Sequence, residues 1–226
     1  MMKMYYRILF AAFLGIITSC GNNSSTTENV AADTTTNATR KTAQKNIVFF
    51  GNSLTAGFGL ASTAEAFPAV IQNKIDSANL PYNVVNAGVS GETTSGGLSR
   101  IDWILQQPLD VFVLELGAND GLRGIPVAQT KQNLQGIIDK VRAKYPGAKI
   151  VLTGMQVPPN MGQTYATSFA QIFPELAKEN NIALVPFLLE GVGGEVELNQ
   201  KDGIHPTAEG ARILAQNVWT VLQPIL

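Results

Sequence analysis

Ile47-Val48-Phe49-Phe50-Gly51-Asn52-Ser53-Leu54-Thr55-Ala56-Gly57-Phe58-Gly59 is the stretch on which the fold is decided. Four apolar residues, β-branched and aromatic, have the composition of a strand buried on both faces. The run breaks at once into Gly51-Asn52-Ser53. That break places the Ser53 hydroxyl at the carboxyl edge of a sheet, where open α/β sheets bind their ligands. Taken alone, a Gly-x-Ser after a strand is more often a strand-to-loop turn whose serine caps something, so the rest of the chain has to discriminate.

Outward from this stretch, short apolar runs alternate with longer amphipathic ones. Strands are expected over 47–50, 83–86, 111–116, 149–153 and 183–186, and helices over 65–78, 97–106, 127–144, 169–180 and 208–222. The helical period is clearest where Leu134, Ile137, Ile138 and Val141 recur at three and four, ahead of the breaker Tyr145-Pro146-Gly147. Strands alternating with helices give an α/β domain: a three-layer α/β/α, flavodoxin-like arrangement around a five-stranded parallel sheet. Right-handed crossovers then bring the carboxyl ends of all strands to one edge.

The chain has 226 residues, with 16 basic against 17 acidic side chains and a formal net charge of -1. No basic run interleaved with aromatics suggests nucleic acid. Residues 1–19 read as a signal peptide, with Lys3 and Arg7 beside the apolar run 8–17. Ile17-Thr18-Ser19-Cys20 resembles a bacterial lipobox. Cys20 is the single cysteine, and an odd cysteine in an exported chain is accounted for by lipidation. Residues 20–45 then form a lipidated Cys and a polar tether of Asn, Ser, Thr and Ala, and 46–226 the folded domain. The expected location is the bacterial cell envelope, with the membrane reached through a lipid on Cys20.

Chemistry collects at the predicted strand ends. His205 is the only histidine, and a serine hydrolase needs a general base of that kind. Asp202 stands three residues earlier in a Gly-containing turn, a spacing that lets its carboxylate reach the imidazole Nδ1–H. Asn119 follows a strand and a glycine; its amide, the Gly91 N–H and the Ser53 N–H are candidate donors to an oxyanion. Each has an ordinary reading as turn chemistry, and their convergence on one edge favours a site.

Gly51-Asn52-Ser53-Leu54, Gly91, Gly117-Ala118-Asn119-Asp120 and Asp202-Gly203-Ile204-His205 resemble the four blocks of the SGNH (GDSL-type) hydrolases. Ser90-Gly91-Glu92-Thr93 and the run from Glu115 to Gly124 are most similar to the thioesterase I, lysophospholipase and arylesterase branch. Asn52 stands where the GDSL name has its Asp, a residue that in the family helps hold the nucleophile loop and is not the base. The resemblance implies Ser53 as nucleophile, His205 as base and then acid, and Asp202 as the orienting carboxylate. Ser53, Gly91 and Asn119 then form the oxyanion hole of an acyl-enzyme mechanism that uses no cofactor and no metal.

For substrate, Phe58 and Leu60 stand beside the nucleophile, and Met155, Val157, Pro158 and Met161 lie in a loop that suits an acyl-chain wall as well as a stiff solvent loop. No basic cluster is present to grip the phosphates of coenzyme A; Arg123 stands alone. Carboxylic esters, lysophospholipids or short-to-medium acyl and aryl esters are therefore expected. A carbohydrate O-deacetylase or acyl thioesterase using the same triad, and a catalytically silent ligand-binding lipoprotein, are the alternatives.

Overall fold

A computed structural model describes residues 44–226. The apolar runs form β1 (Lys45–Gly51), β2 (Tyr82–Gly88), β3 (Val111–Glu115), β4 (Lys149–Thr153) and β5 (Ala183–Val185), paired in parallel in the order β2-β1-β3-β4-β5. The order reverses at β1, so its neighbours are reached by crossovers that run in opposite directions along the sheet. The crevice outside the β1 and β3 carboxyl ends is the topological switch point. Gly51 is in register with Gly88 on one side and Glu115 on the other, so the segments that follow all three strands emerge side by side.

The helices are α1 (Ser53–Ala56), α2 (Phe67–Ser77), α3 (Thr94–Ile104), α4 (Ala118–Leu122), α5 (Val127–Lys144), α6 (Gln163–Asn180) and α7 (Ala208–Leu222). α2 packs against α7, and α5 against both α3 and α6, giving helices on both faces of the sheet. Successive strand residues point to opposite faces. Phe49 accordingly meets Phe67 of α2 edge-on at 5.6 Å, while Phe50 packs at 5.5 Å from Phe112 on the other face; all four rings are fully buried.

Local chemistry accounts for the differences from the expected boundaries. α2 starts two residues late because Ser62 caps a separate 3-10 turn, Thr63–Glu65, and Pro68 occupies its first turn. α3 starts early at the cap Thr93, whose Oγ1 accepts from Gly96 N. α6 begins at Gln163 and continues through Pro174. α1 and α4, each about one turn long, carry too few residues to show a period. Lys45, expected to close the tether, opens β1. The leader, Cys20 and the tether up to residue 43 lie outside the described residues. No described helix is long and apolar enough to cross a membrane.

β2 is an edge strand, and the Gln72 side chain of α2 lies along it. Its Oε1 accepts from Val84 N at 2.6 Å and its Nε2 donates to Tyr82 O at 3.2 Å.

Inside the sheet, β3 is buried at all five positions, and its last residue is a glutamate. The Glu115 carboxyl is wholly removed from water. Its Oε2 accepts from Asn52 N at 3.0 Å and Thr55 Oγ1 at 2.8 Å, and its Oε1 from Asn52 Nδ2 at 2.8 Å. Residue 51 passes so close that a Cβ there would lie 2.1 Å from Thr55 Oγ1 and 2.5 Å from Glu115 Oε2, which restricts the position to glycine. Burial pushes Glu115 up to about 7, against the opposing pull of these hydrogen bonds.

The pH dependence follows in sign. Below the ordinary value of 4.5 the carboxyl is protonated in folded and unfolded chains alike. Between 4.5 and about 7 the unfolded chain releases the proton while the folded chain keeps it. Stability therefore falls as pH rises through that window and stays lower above it. Glu115→Gln has no proton to exchange. Urea midpoints at about pH 5 and about pH 8 should show the wild type losing roughly 1–3 kcal/mol more than the variant. Equal losses would show that Glu115 does not hold its proton preferentially in the folded state.

Candidate active site

Ser53 is the first residue of α1. Asn52 precedes it as the cap, its Oδ1 accepting from Leu54 N at 2.9 Å, and Gly57 ends the helix after one turn. The backbone N–H of Ser53 therefore sits among the unpaired donors of a helix start.

His205 approaches from the segment before α7. Its Nε2 lies 2.9 Å from Ser53 Oγ and its Nδ1 2.7 Å from Asp202 Oδ2. Asp202 Oδ1 also accepts from the backbone N–H groups of Ile204 at 3.0 Å and His205 at 3.1 Å. The hydrogen bond from His205, followed by those from the two backbone N–H groups, holds Asp202 at about 2. An ionised carboxylate only accepts, so a proton resides on Nδ1, and in the neutral imidazole it is the bare Nε2 that faces the Ser53 hydroxyl. The Phe58 ring packs on the imidazole at 4.7 Å between centroids. Gln200 ties the two loops together: its Nε2 donates to Phe58 O at 2.8 Å and Pro206 O at 2.9 Å, and its backbone N donates to His205 O at 2.7 Å.

Ser53, Gly91 and Asn119 line the same cleft as His205. Gly91 has φ of 78°, in the left-handed region that favours glycine. Among the described residues the N–H groups of Ser53 and Gly91 donate to no protein acceptor. Asn119 Nδ2 donates one proton to Glu92 O at 3.0 Å, which fixes the amide and leaves its second N–H. Arg123 Nη2 donates to Gly91 O at 3.0 Å. Beside Asn119, the fully buried Asp120 accepts from Thr94 N at 2.8 Å and from Thr94 Oγ1, fastening α4 to the start of α3.

The cleft encloses about 540 Å³. Phe58, Met155, Val157 and Pro158 line it. Leu60 and Met161 do not. Leu60 turns toward the Gly57 turn, with its Cδ1 3.3 Å from where a Cβ of residue 57 would stand. Met161 ends a single 3-10 turn, Pro159–Met161, and packs against the core. Leu54, Ala118, Leu122, Phe187, Leu189 and Ile204 complete the apolar wall. Phe187 and Leu189 went unread because Pro186 closes the expected strand. The available signal was their place just beyond a strand end on the edge that carries the other site residues.

The supporting residues were also missed. Glu115 stood out only as an acid closing an apolar strand, and Gln200 carried no signal in its local sequence.

The model of the GDSL-like Lipase/Acylhydrolase family matches residues 49–213. The chain is 41% identical over 189 residues to Esterase TesA of Pseudomonas aeruginosa, a match taking in 83% of this chain and 92% of that protein. It is 38% identical over 188 residues to Thioesterase 1/protease 1/lysophospholipase L1 of Escherichia coli, covering 83% of this chain and 88% of that one. The crystal structure of TesA superposes with a TM-score of 0.77 over 80% of this chain and all of that one. The strand order, the cleft at the switch point and this extent of identity agree, and the chain belongs to the GDSL-like lipase/acylhydrolase family of serine ester hydrolases.

Proposed function

We propose that the chain is an exported serine esterase for short-to-medium acyl or aryl esters and lysophospholipids, working through an acyl-enzyme on Ser53. The relay of 2.7 Å and 2.9 Å from Asp202 through His205 to Ser53 carries this reading. Ser53 Oγ attacks the acyl carbon while His205 Nε2 takes its proton. The tetrahedral oxyanion is received by the N–H groups of Ser53, Gly91 and Asn119. The ester C–O bond then breaks, with His205 returning the proton to the departing alkoxide. Water repeats the cycle on the acyl-enzyme, releasing the acid and restoring Ser53.

The wall of the cleft supports the substrate class. It is largely aliphatic and aromatic and, among the described residues, contains no lysine or arginine. Nothing in it is built to hold the phosphates of coenzyme A, and Arg123 is bonded to Gly91 O. The names of the relatives, an esterase and a thioesterase/lysophospholipase, are compatible with this choice.

Export and a lipid on Cys20 belong to the same proposal and rest on the lipobox-like Ile17 to Cys20.

A panel of p-nitrophenyl esters from acetate to palmitate, with palmitoyl-CoA alongside, should show the highest kcat/KM on short-to-medium esters and little on the thioester. Turnover of acetyl esters alone would redirect the assignment to a deacetylase. A fluorophosphonate should label the wild type at Ser53 and fail on Ser53→Ala, whose kcat should fall by roughly 10⁴–10⁶-fold. Retained labelling at another residue would overturn the nucleophile.

Asn119→Ala should lower kcat by about 10²–10³-fold with little change in KM, since the amide acts on transition-state charge. A variant with wild-type kcat would remove Asn119 from the mechanism.

Mass spectrometry and fractionation should find a lipidated, membrane-bound wild type and a Cys20→Ala variant lacking both properties. A soluble wild type starting at another residue would refute the anchor.

A further inference from the structure

Residues 89–93, between β2 and α3, carry Gly91, and an ion pair with α3 closes on them. Arg100 of α3 donates from Nε to Glu92 Oε1 at 2.6 Å and from Nη2 to Glu92 Oε2 at 2.5 Å. The two side chains are 21% and 7% exposed. The guanidinium is further fixed by lying over the Phe50 ring, 4.0 Å from its centroid. Nη2 also donates to Ala87 O at 2.8 Å and, more distantly, to Gly51 O at 3.4 Å. These are carbonyls at the ends of β2 and β1. On the other side of the pair, the Glu92 carbonyl accepts Asn119 Nδ2 at 3.0 Å.

Three segments that are distant in sequence therefore meet at this pair. Gly51 leads directly into Asn52 and Ser53. Gly91 is bonded to Glu92. Asn119 takes the orientation of its amide from the Glu92 carbonyl. An ion pair serving only to staple α3 to its own N-terminal loop would need no strand-end carbonyls.

We infer that the Arg100–Glu92 pair is a positioning element for the oxyanion hole of Ser53 N, Gly91 N and Asn119 Nδ2, acting on Asn119 through the Glu92 carbonyl that turns its amide. It rests on the assignment of those three groups as oxyanion donors. Such donors act because they are already aimed at the charge that develops, and a displacement of about 1 Å costs on the order of 10²-fold in rate. Glu92 and Arg100 touch no reacting atom; they act through the donors.

The test is a double-mutant cycle on a p-nitrophenyl ester. Glu92→Gln keeps the shape and loses the charge; Arg100→Lys keeps the charge and loses the fork. Each should lower kcat by about 10- to 100-fold with KM within about twofold, in protein that a urea titration shows to be folded under the assay conditions. In the Asn119→Ala background, Glu92→Gln should lower kcat by no more than about threefold further, because the donor it helps to aim is already gone. Losses that multiply in the double variant would overturn the inference. So would wild-type kcat in Glu92→Gln beside an impaired Asn119→Ala, which would leave the oxyanion assignment standing. Wild-type kcat in both single variants would overturn that assignment and the inference together. Should Glu92→Gln fold too poorly to assay, Arg100→Lys with Asn119→Ala provides the same cycle and the same outcomes.

Discussion

A carboxyl group with no water around it holds Ser53 in place. Glu115 ends a strand that is otherwise wholly apolar, and its oxygens receive the backbone and side chain of Asn52 and the hydroxyl of Thr55. Removing such a group from water is costly, and the hydrogen bonds offset that cost only while all the donors stay in position. The carboxyl thus fixes Asn52, Asn52 caps α1, and α1 presents Ser53. The asparagine is suited to this task. Its amide donates to Glu115 through Nδ2 and accepts from Leu54 through Oδ1. An aspartate at the same position would bring a second carboxyl against Glu115 and need a shared proton to fit.

The same logic extends along the sheet edge. Each group proposed to touch the reacting ester is held by a neighbour that does not. His205 is oriented by Asp202 and backed by Phe58; its loop is tied to the serine loop by Gln200; Asn119 is turned by the Glu92 carbonyl. The parallel sheet makes this economical, since β1, β2 and β3 end at one level and deliver their loops side by side. A site assembled from short loops on strand ends inherits the rigidity of the sheet beneath it.

Much of this was legible in the residues. Strand composition and helical periodicity gave the layer order, and the sole histidine with an aspartate three residues before it pointed to the relay. The supports were not legible, for a physical reason. Glu115 meets Asn52 across 63 residues, Asn119 meets the Glu92 carbonyl across 27, and Gln200 meets Phe58 O across 142. Such contacts are set by sheet register and leave no local pattern. The apolar wall of the cleft was only half legible for a similar reason. Met155, Val157 and Pro158 follow β4 within a few residues, whereas whether Leu60 or Leu54 faces the cleft depends on the single turn of α1, too short to show a period.

Gln72 bears on how the molecule behaves toward its own copies. An edge strand offers a row of unpaired donors and acceptors that a second chain can match. Here the Gln72 amide, presenting one acceptor and one donor, occupies Val84 N and Tyr82 O as a neighbouring peptide unit would. A segment arriving to extend the sheet at that point must first displace an intramolecular mimic. At the opposite margin β5 is only three residues long and offers little to template on. The parallel sheet is thus guarded at one margin by a side chain and at the other by brevity, which disfavours association through edge-to-edge sheet growth.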